Sequence, residues 1–130
     1  MIRGRSTDLL AGALAIPWLY FGVLHFTMHA ETVRQMPPWF PWKSPIVYVT
    51  GVAELVFGLM LLPRLTRAWG ALGTMALLVV YIPAVLNIVI YNAALQGAPA
   101  WQQAAFRWSI VPANVGLFFW ARVYWRARPA

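Results

Sequence analysis

The chain has 130 residues, of which 62% are hydrophobic and 10% charged, with a formal net charge of +7. A soluble domain carries about 25% charged residues, so too few charges remain here to cover a water-exposed surface, and one lipid-embedded domain over 1–130 is expected. The absence of cysteine excludes disulfides, thiolate chemistry and cysteine metal sites. The positive charge does not read as nucleic-acid binding. Nearly all of it is arginine placed between apolar runs, which suits anionic lipid headgroups and membrane topology.

A helix crossing the hydrocarbon layer needs about 20 mostly apolar residues, and four runs qualify, over about 9–28, 46–62, 68–91 and 104–120. In the first, Trp18, Gly22, His25 and His29 recur at spacings of three and four, which share one face of a helix. No Ala-x-Ala-like cleavage site follows it, and it is longer than a signal peptide's apolar region, so it reads as a real span.

The connection 30–45, AETVRQMPPWFPWKSP, carries Pro37, Pro38, Pro41 and Pro45, which deny it a regular helix. Trp39, Phe40 and Trp42 make it amphipathic. It is assigned to the headgroup level, with a lid over a cavity between the helices as the alternative.

The second run contains GVAELVFGLMLL, in which Gly51, Glu54 and Gly58 share a stripe whose small residues admit a close neighbour. In the third run Pro83 and Asn87 lie four apart. In the fourth, Arg107 and Asn114 lie seven apart on one face, and Pro112 falls between them. Each proline leaves a carbonyl four residues earlier without its donor, at Val79 and Trp108.

With alternating spans, Arg3, Arg5, Arg64, Arg67, Arg122, Arg126 and Arg128 fall on one side, and Arg34, Lys43 and Arg107 on the other. The positive-inside rule places both termini in the cytoplasm. The expected fold is all-α: a four-transmembrane-helix bundle, N-in/C-in, with most tryptophans near span ends as an aromatic belt.

That orientation gives each polar residue a depth, at about 1.5 Å per helical residue from the external end. Glu54 lies about 12 Å down, His25 about 5 Å, Asn87 about 6 Å, Arg107 about 5 Å and Asn114 about 15 Å on this scale. All sit in the outer half or near the midplane. A charge at the bilayer centre costs about 2.5–3.5 kcal/mol on insertion scales, so Glu54 is expected to face inward. A hydrogen-bonded cluster of His25, Glu54, Asn87, Arg107 and Asn114 is the expectation, with Arg107 or His25 as the partner of the acid.

Each residue also has a plainer reading. Asn114 and Asn87 serve equally as interhelical glue, and Arg107 as a residue snorkelling to headgroups. His25 and His29, at i and i+4, could hold one metal ion with Glu54, or one of them a haem. The pattern lacks HExxH, and no metal site is assigned.

The strings GVLHF, MPPWFPW, PIVYVTGVAELVFGLMLLPRLTRAWG and YIPAVLN resemble the DoxX-like family of small bacterial membrane proteins, from about Gly22 to Asn87. The resemblance implies a four-helix bundle of the bacterial inner (cytoplasmic) membrane. It also maps the family's His, Glu and Asn positions onto His25, Glu54 and Asn87. Founding relatives are associated with a thiosulfate:quinone oxidoreductase and other members with redox partner proteins, which raises the expectation of redox-linked work.

Three functions follow for comparison. The first is an outer-half pocket for a hydrophobic or quinone-like molecule, in a redox-linked or acid–base, isomerase-like role. There His25 and Glu54 handle protons, Asn87, Arg107 and Asn114 orient the polar end, and aromatic residues such as Trp18 and Trp39 cover the apolar body. The second is a non-catalytic anchor or assembly subunit whose polar cluster fixes helix register. The third is transport of a proton or small solute. Gly-lined faces add a homo-oligomer to the expected partners, beside membrane lipid.

Overall fold

The computed structural model describes residues 4–128, so Arg3 of the charge pattern above lies outside the described residues. Six helices follow in order: α1 (Arg5–Thr27), α2 (His29–Gln35), α3 (Lys43–Met60), α4 (Arg67–Val80), α5 (Ile82–Tyr91) and α6 (Ala100–Arg126). There is no strand among the described residues. The helices α1 and α3 are each long and apolar enough to cross a membrane. So is the pair α4–α5 taken together, which is bent by 43° at Tyr81. The longest helix, α6, is not apolar enough to join them by length and composition.

The bend in α4–α5 departs from the single run 68–91 read in the sequence. Pro83 stands in the first turn of α5, where a missing N–H leaves no helical bond unmade. The helix therefore restarts rather than kinks. The connection 30–45 also differs from expectation. Its first third is helical, because every proline lies at or beyond 37 and the Thr32 hydroxyl and Glu31–Arg34 pair support the turn of α2. Only 36–42 is irregular, since Pro45 stands in the first turn of α3, and Trp42 takes a left-handed conformation at φ 51°.

Packing follows the small-residue stripes. Gly51, Glu54 and Gly58 are the buried face of α3, and Trp18 and Gly22 belong to the buried face of α1. A Cβ at Gly51 would lie 2.6 Å from the His25 Cβ, so only glycine admits α1 this closely. Gly70 and Gly73 play the same part where α4 meets Phe57 and the end of α3. The α4 helix in turn packs along α6.

The apolar core gathers at one end, around Leu14, Leu61, Leu77 and Tyr124, and reaches the cavity at Trp18. Many large apolar side chains point outward instead, among them Leu9, Ile16, Val49, Ile90 and Val123, as an apolar surrounding permits. The other end of the bundle holds a cavity.

Candidate functional site

The cavity encloses about 380 Å³. It is walled by α1, α3, α4–α5 and α6, and roofed by the end of α2 and the turn after it, through Gln35, Met36, Pro37 and Phe40. Two hydrogen bonds hold that roof down. The Asn87 side-chain amide donates to the Gln35 carbonyl at 2.9 Å, and the Leu95 N–H donates to Glu31 at 2.8 Å.

Glu54 lines this space from the middle of α3 and is 2% exposed. The Tyr81 hydroxyl, placed at the α4–α5 break, donates to its Oε1 at 2.7 Å. His25 Nδ1 lies 3.1 Å from Oε2. The same nitrogen is 2.8 Å from the Phe21 carbonyl. A carbonyl can only accept, so Nδ1 carries a proton directed at Phe21. The Glu54 contact is thus close enough for attraction between charges but off line for a hydrogen bond, and Oε2 is left buried without a donor. Trp18 Nε1, on the same cavity wall, is likewise buried without an acceptor.

This arrangement has a defined chemistry. With its tautomer fixed by Phe21, a neutral His25 presents Nε2 as an acceptor, and Nε2 has no hydrogen-bond partner among the described residues. A proton taken at Nε2 produces an imidazolium that the adjacent Glu54 carboxylate stabilises. Tyr81 holds that carboxylate from the other side. Its ring also lies near-parallel to the imidazole, with centroids 6.3 Å apart.

The five-residue cluster expected around Glu54 is only partly assembled. His25 and Glu54 come together. Asn87 is buried but serves the roof. Asn114 reaches the cavity wall, yet its amide donates back to the Ile110 carbonyl at 2.6 Å. Arg107 is not a partner of Glu54: its Nε donates to the Val89 carbonyl at 2.7 Å, with the guanidinium over Trp108. Trp18 lines the cavity, whereas Trp39 is 72% exposed and does not.

His29 leaves the α1 stripe because the helix breaks at Met28. It bonds Ser44 at 2.8 Å and stacks on Tyr48. No group of three or more metal-ligating His, Asp or Glu side chains is assembled among the described residues.

Sequence reasoning missed Tyr81. Counted from Tyr91 at about 1.5 Å per residue, its depth is about 15 Å, close to that of Glu54. That was the available signal.

A second polar centre lies at the opposite end. Arg67, 7% exposed, donates to the Leu61 and Leu62 carbonyls and to Asp8. Arg64 adds a two-pronged contact to the same carboxylate. That hydrogen bond raises the Arg64 guanidinium pKa further above its ordinary value.

No curated protein and no solved structure matches the chain. Residues 14–125 match the model of a family described as "Domain of unknown function (DUF8561)". That stretch takes in the cavity, the His25–Glu54–Tyr81 group and Arg67, and the chain belongs to the DUF8561 family.

Proposed function

We propose that this DUF8561 member is a four-span inner-membrane protein with both termini in the cytoplasm. Its cavity binds an apolar small molecule bearing a hydroxyl or carbonyl head, and the His25–Glu54 pair exchanges a proton with that head. One observation carries the reading. Glu54 is 2% exposed at the edge of a 380 Å³ apolar cavity, and one of its oxygens has no hydrogen-bond donor. Buried polar groups are ordinarily satisfied, so an orphaned one in a cavity wall supports a role in binding.

The membrane part of the reading has its own support. On α6, Trp108, Val111, Val115, Phe119 and Val123 are all exposed at near-helical spacing, an outward apolar stripe suited to lipid. The arginines near the start of α1, before α4 and at the end of α6 favour a cytoplasmic setting for that end. The resemblance to DoxX-like proteins favours a quinone-type ligand and redox-linked work over isomerisation, though the proton transfer is common to both.

The test is titration of the purified protein in detergent with a benzoquinone and its reduced form, followed by tryptophan fluorescence. Saturable quenching in the wild type that is lost in Glu54→Gln and His25→Ala supports the reading. An identical response from all three removes it.

A structural role is favoured by one feature: Glu54 links α3 to His25 of α1 and to Tyr81 between α4 and α5. An anchor or assembly subunit would need only that link. It predicts a loss of thermal stability in Glu54→Gln with no ligand to lose.

A further inference from the structure

A second pair of side chains stands outside the cavity wall, on the surface of the same end. His29 opens α2, and Ser44 falls in the first turn of α3, fifteen positions later. The break at Met28 turns the imidazole back toward its own chain, where Nδ1 lies 3.1 Å from the His25 carbonyl. A carbonyl only accepts, so Nδ1 carries the proton, and a neutral His29 presents Nε2 as an acceptor. Ser44 Oγ is 2.8 Å from Nε2, and its hydroxyl therefore donates to the ring. The ring is held from its face by Tyr48, with centroids 3.9 Å apart and planes 12° from parallel.

These three parts have a defined chemistry. A serine hydroxyl is a weak nucleophile, and a base that takes its proton during attack activates it. The base must keep one tautomer and one orientation, which the His25 carbonyl and the Tyr48 ring provide. Ser44 is exposed, so a reactant reaches it from outside. The first N–H groups of a helix have no acceptor within it, and those of α3 remain for an oxyanion developing at Ser44. Trp42, Tyr48 and Phe26 are all exposed, and the last two rings lie 5.7 Å apart, an apolar surface near the hydroxyl.

From this geometry we infer that Ser44 and His29 form an acyl-transfer site, separate from the cavity, whose substrate is a carboxylic ester with an apolar acyl group. Ser44 Oγ adds to the ester carbonyl as its proton passes to His29 Nε2. The adduct collapses with loss of the alcohol, which takes that proton, and the acyl group stays on Ser44. Water then adds to the acyl-serine, its proton drawn to the same nitrogen. The carboxylic acid departs and Ser44 recovers its hydrogen. No side chain of the cavity wall takes part, so the site stands whether or not the cavity takes a ligand.

The test uses the full chain in detergent micelles, with folding of each variant checked by circular dichroism. A fluorophosphonate probe forms an Oγ–phosphorus bond with an activated serine and loses fluoride, and peptide mass spectrometry locates it. The wild type should be labelled at Ser44 and should release nitrophenolate from p-nitrophenyl butyrate. Ser44→Ala should do neither. His29→Phe keeps a ring against Tyr48 without a base, and should slow both reactions about a hundredfold, the scale of general-base assistance. Absence of label at Ser44 in the folded wild type overturns the proposal. So does labelling indifferent to His29→Phe, or nitrophenolate release undiminished in Ser44→Ala. A second arm is independent of any one ester. The chain has no cysteine, so Ser44→Cys introduces a single thiol. Iodoacetamide should alkylate that thiol about tenfold faster than in the double variant Ser44→Cys/His29→Phe, because the imidazole favours the thiolate. Equal rates overturn the proposal.

Discussion

At the end where α1 begins, Arg67 is buried and all three guanidinium nitrogens have acceptors, at Asp8 and the Leu61 and Leu62 carbonyls. At the other end Glu54 is buried more deeply, yet one oxygen lacks a donor, and Trp18 beside it lacks an acceptor. Both sites join several helices. In one, every guanidinium nitrogen is met; in the other, an acid faces a cavity with an incomplete set of partners. A satisfied polar network rigidifies a fold, and an incomplete one costs stability unless something else completes it. On the reading proposed above, the first end holds the fold and the second is left open for a ligand.

Mutation of the clamp should produce the largest structural effect. Arg67→Ala strips the donors from two carbonyls and leaves Asp8 with Arg64 alone, so detergent-solubilised protein should lose about 2–4 kcal/mol of stability, measured as a fall in Tm. A neutral result would dissolve the contrast between the ends.

Next comes Gly51→Ala, which drives a Cβ toward the His25 Cβ. Overpacking of this kind costs about 1–3 kcal/mol. It should also weaken quinone binding by moving the imidazole away from Glu54, whereas a comparable loss of stability at Arg67 should leave binding per folded molecule intact. Parallel melting and binding measurements separate the two.

Tyr81→Phe removes one hydrogen bond to Glu54, worth about 0.6–1.5 kcal/mol. Its expected signature is a small drop in Tm with weaker binding, since the phenol no longer holds the Glu54 side chain in place. Arg107→Gln should change least, within about 0.5 kcal/mol in stability, and leave ring binding unaltered because Arg107 serves Val89. A strong binding defect in Arg107→Gln would reinstate it at the site.

Much of this contrast can be read from spacing. Gly51–Glu54–Gly58 and Trp18–Gly22–His25 each mark a helix face, and those faces do meet. Charge offers Arg107 or His25 as partner of Glu54; the structure brings His25 to within 3.1 Å and leaves Arg107 on Val89, while the nearest donor, the neutral Tyr81 hydroxyl, carries no charge signal. The 43° bend at Tyr81 is not legible, since Pro83 is equally compatible with a kinked continuous helix. The Asp8–Arg64–Arg67 clamp depends on contacts between residues more than fifty positions apart, which no local pattern records.

The central claim is that the unfilled valence of Glu54 serves a ligand rather than the fold. Glu54→Gln keeps an oxygen for Tyr81 and removes the acid, with an amide nitrogen in place of one carboxyl oxygen. A single series of melting curves for wild type and Glu54→Gln, with and without a benzohydroquinone, whose hydroxyl can donate to Oε2, tests it directly. The account predicts a Tm for the unliganded variant equal to or above that of the wild type, and a ligand-induced rise in Tm only in the wild type. A variant that melts lower while responding to the hydroquinone as the wild type does would contradict it.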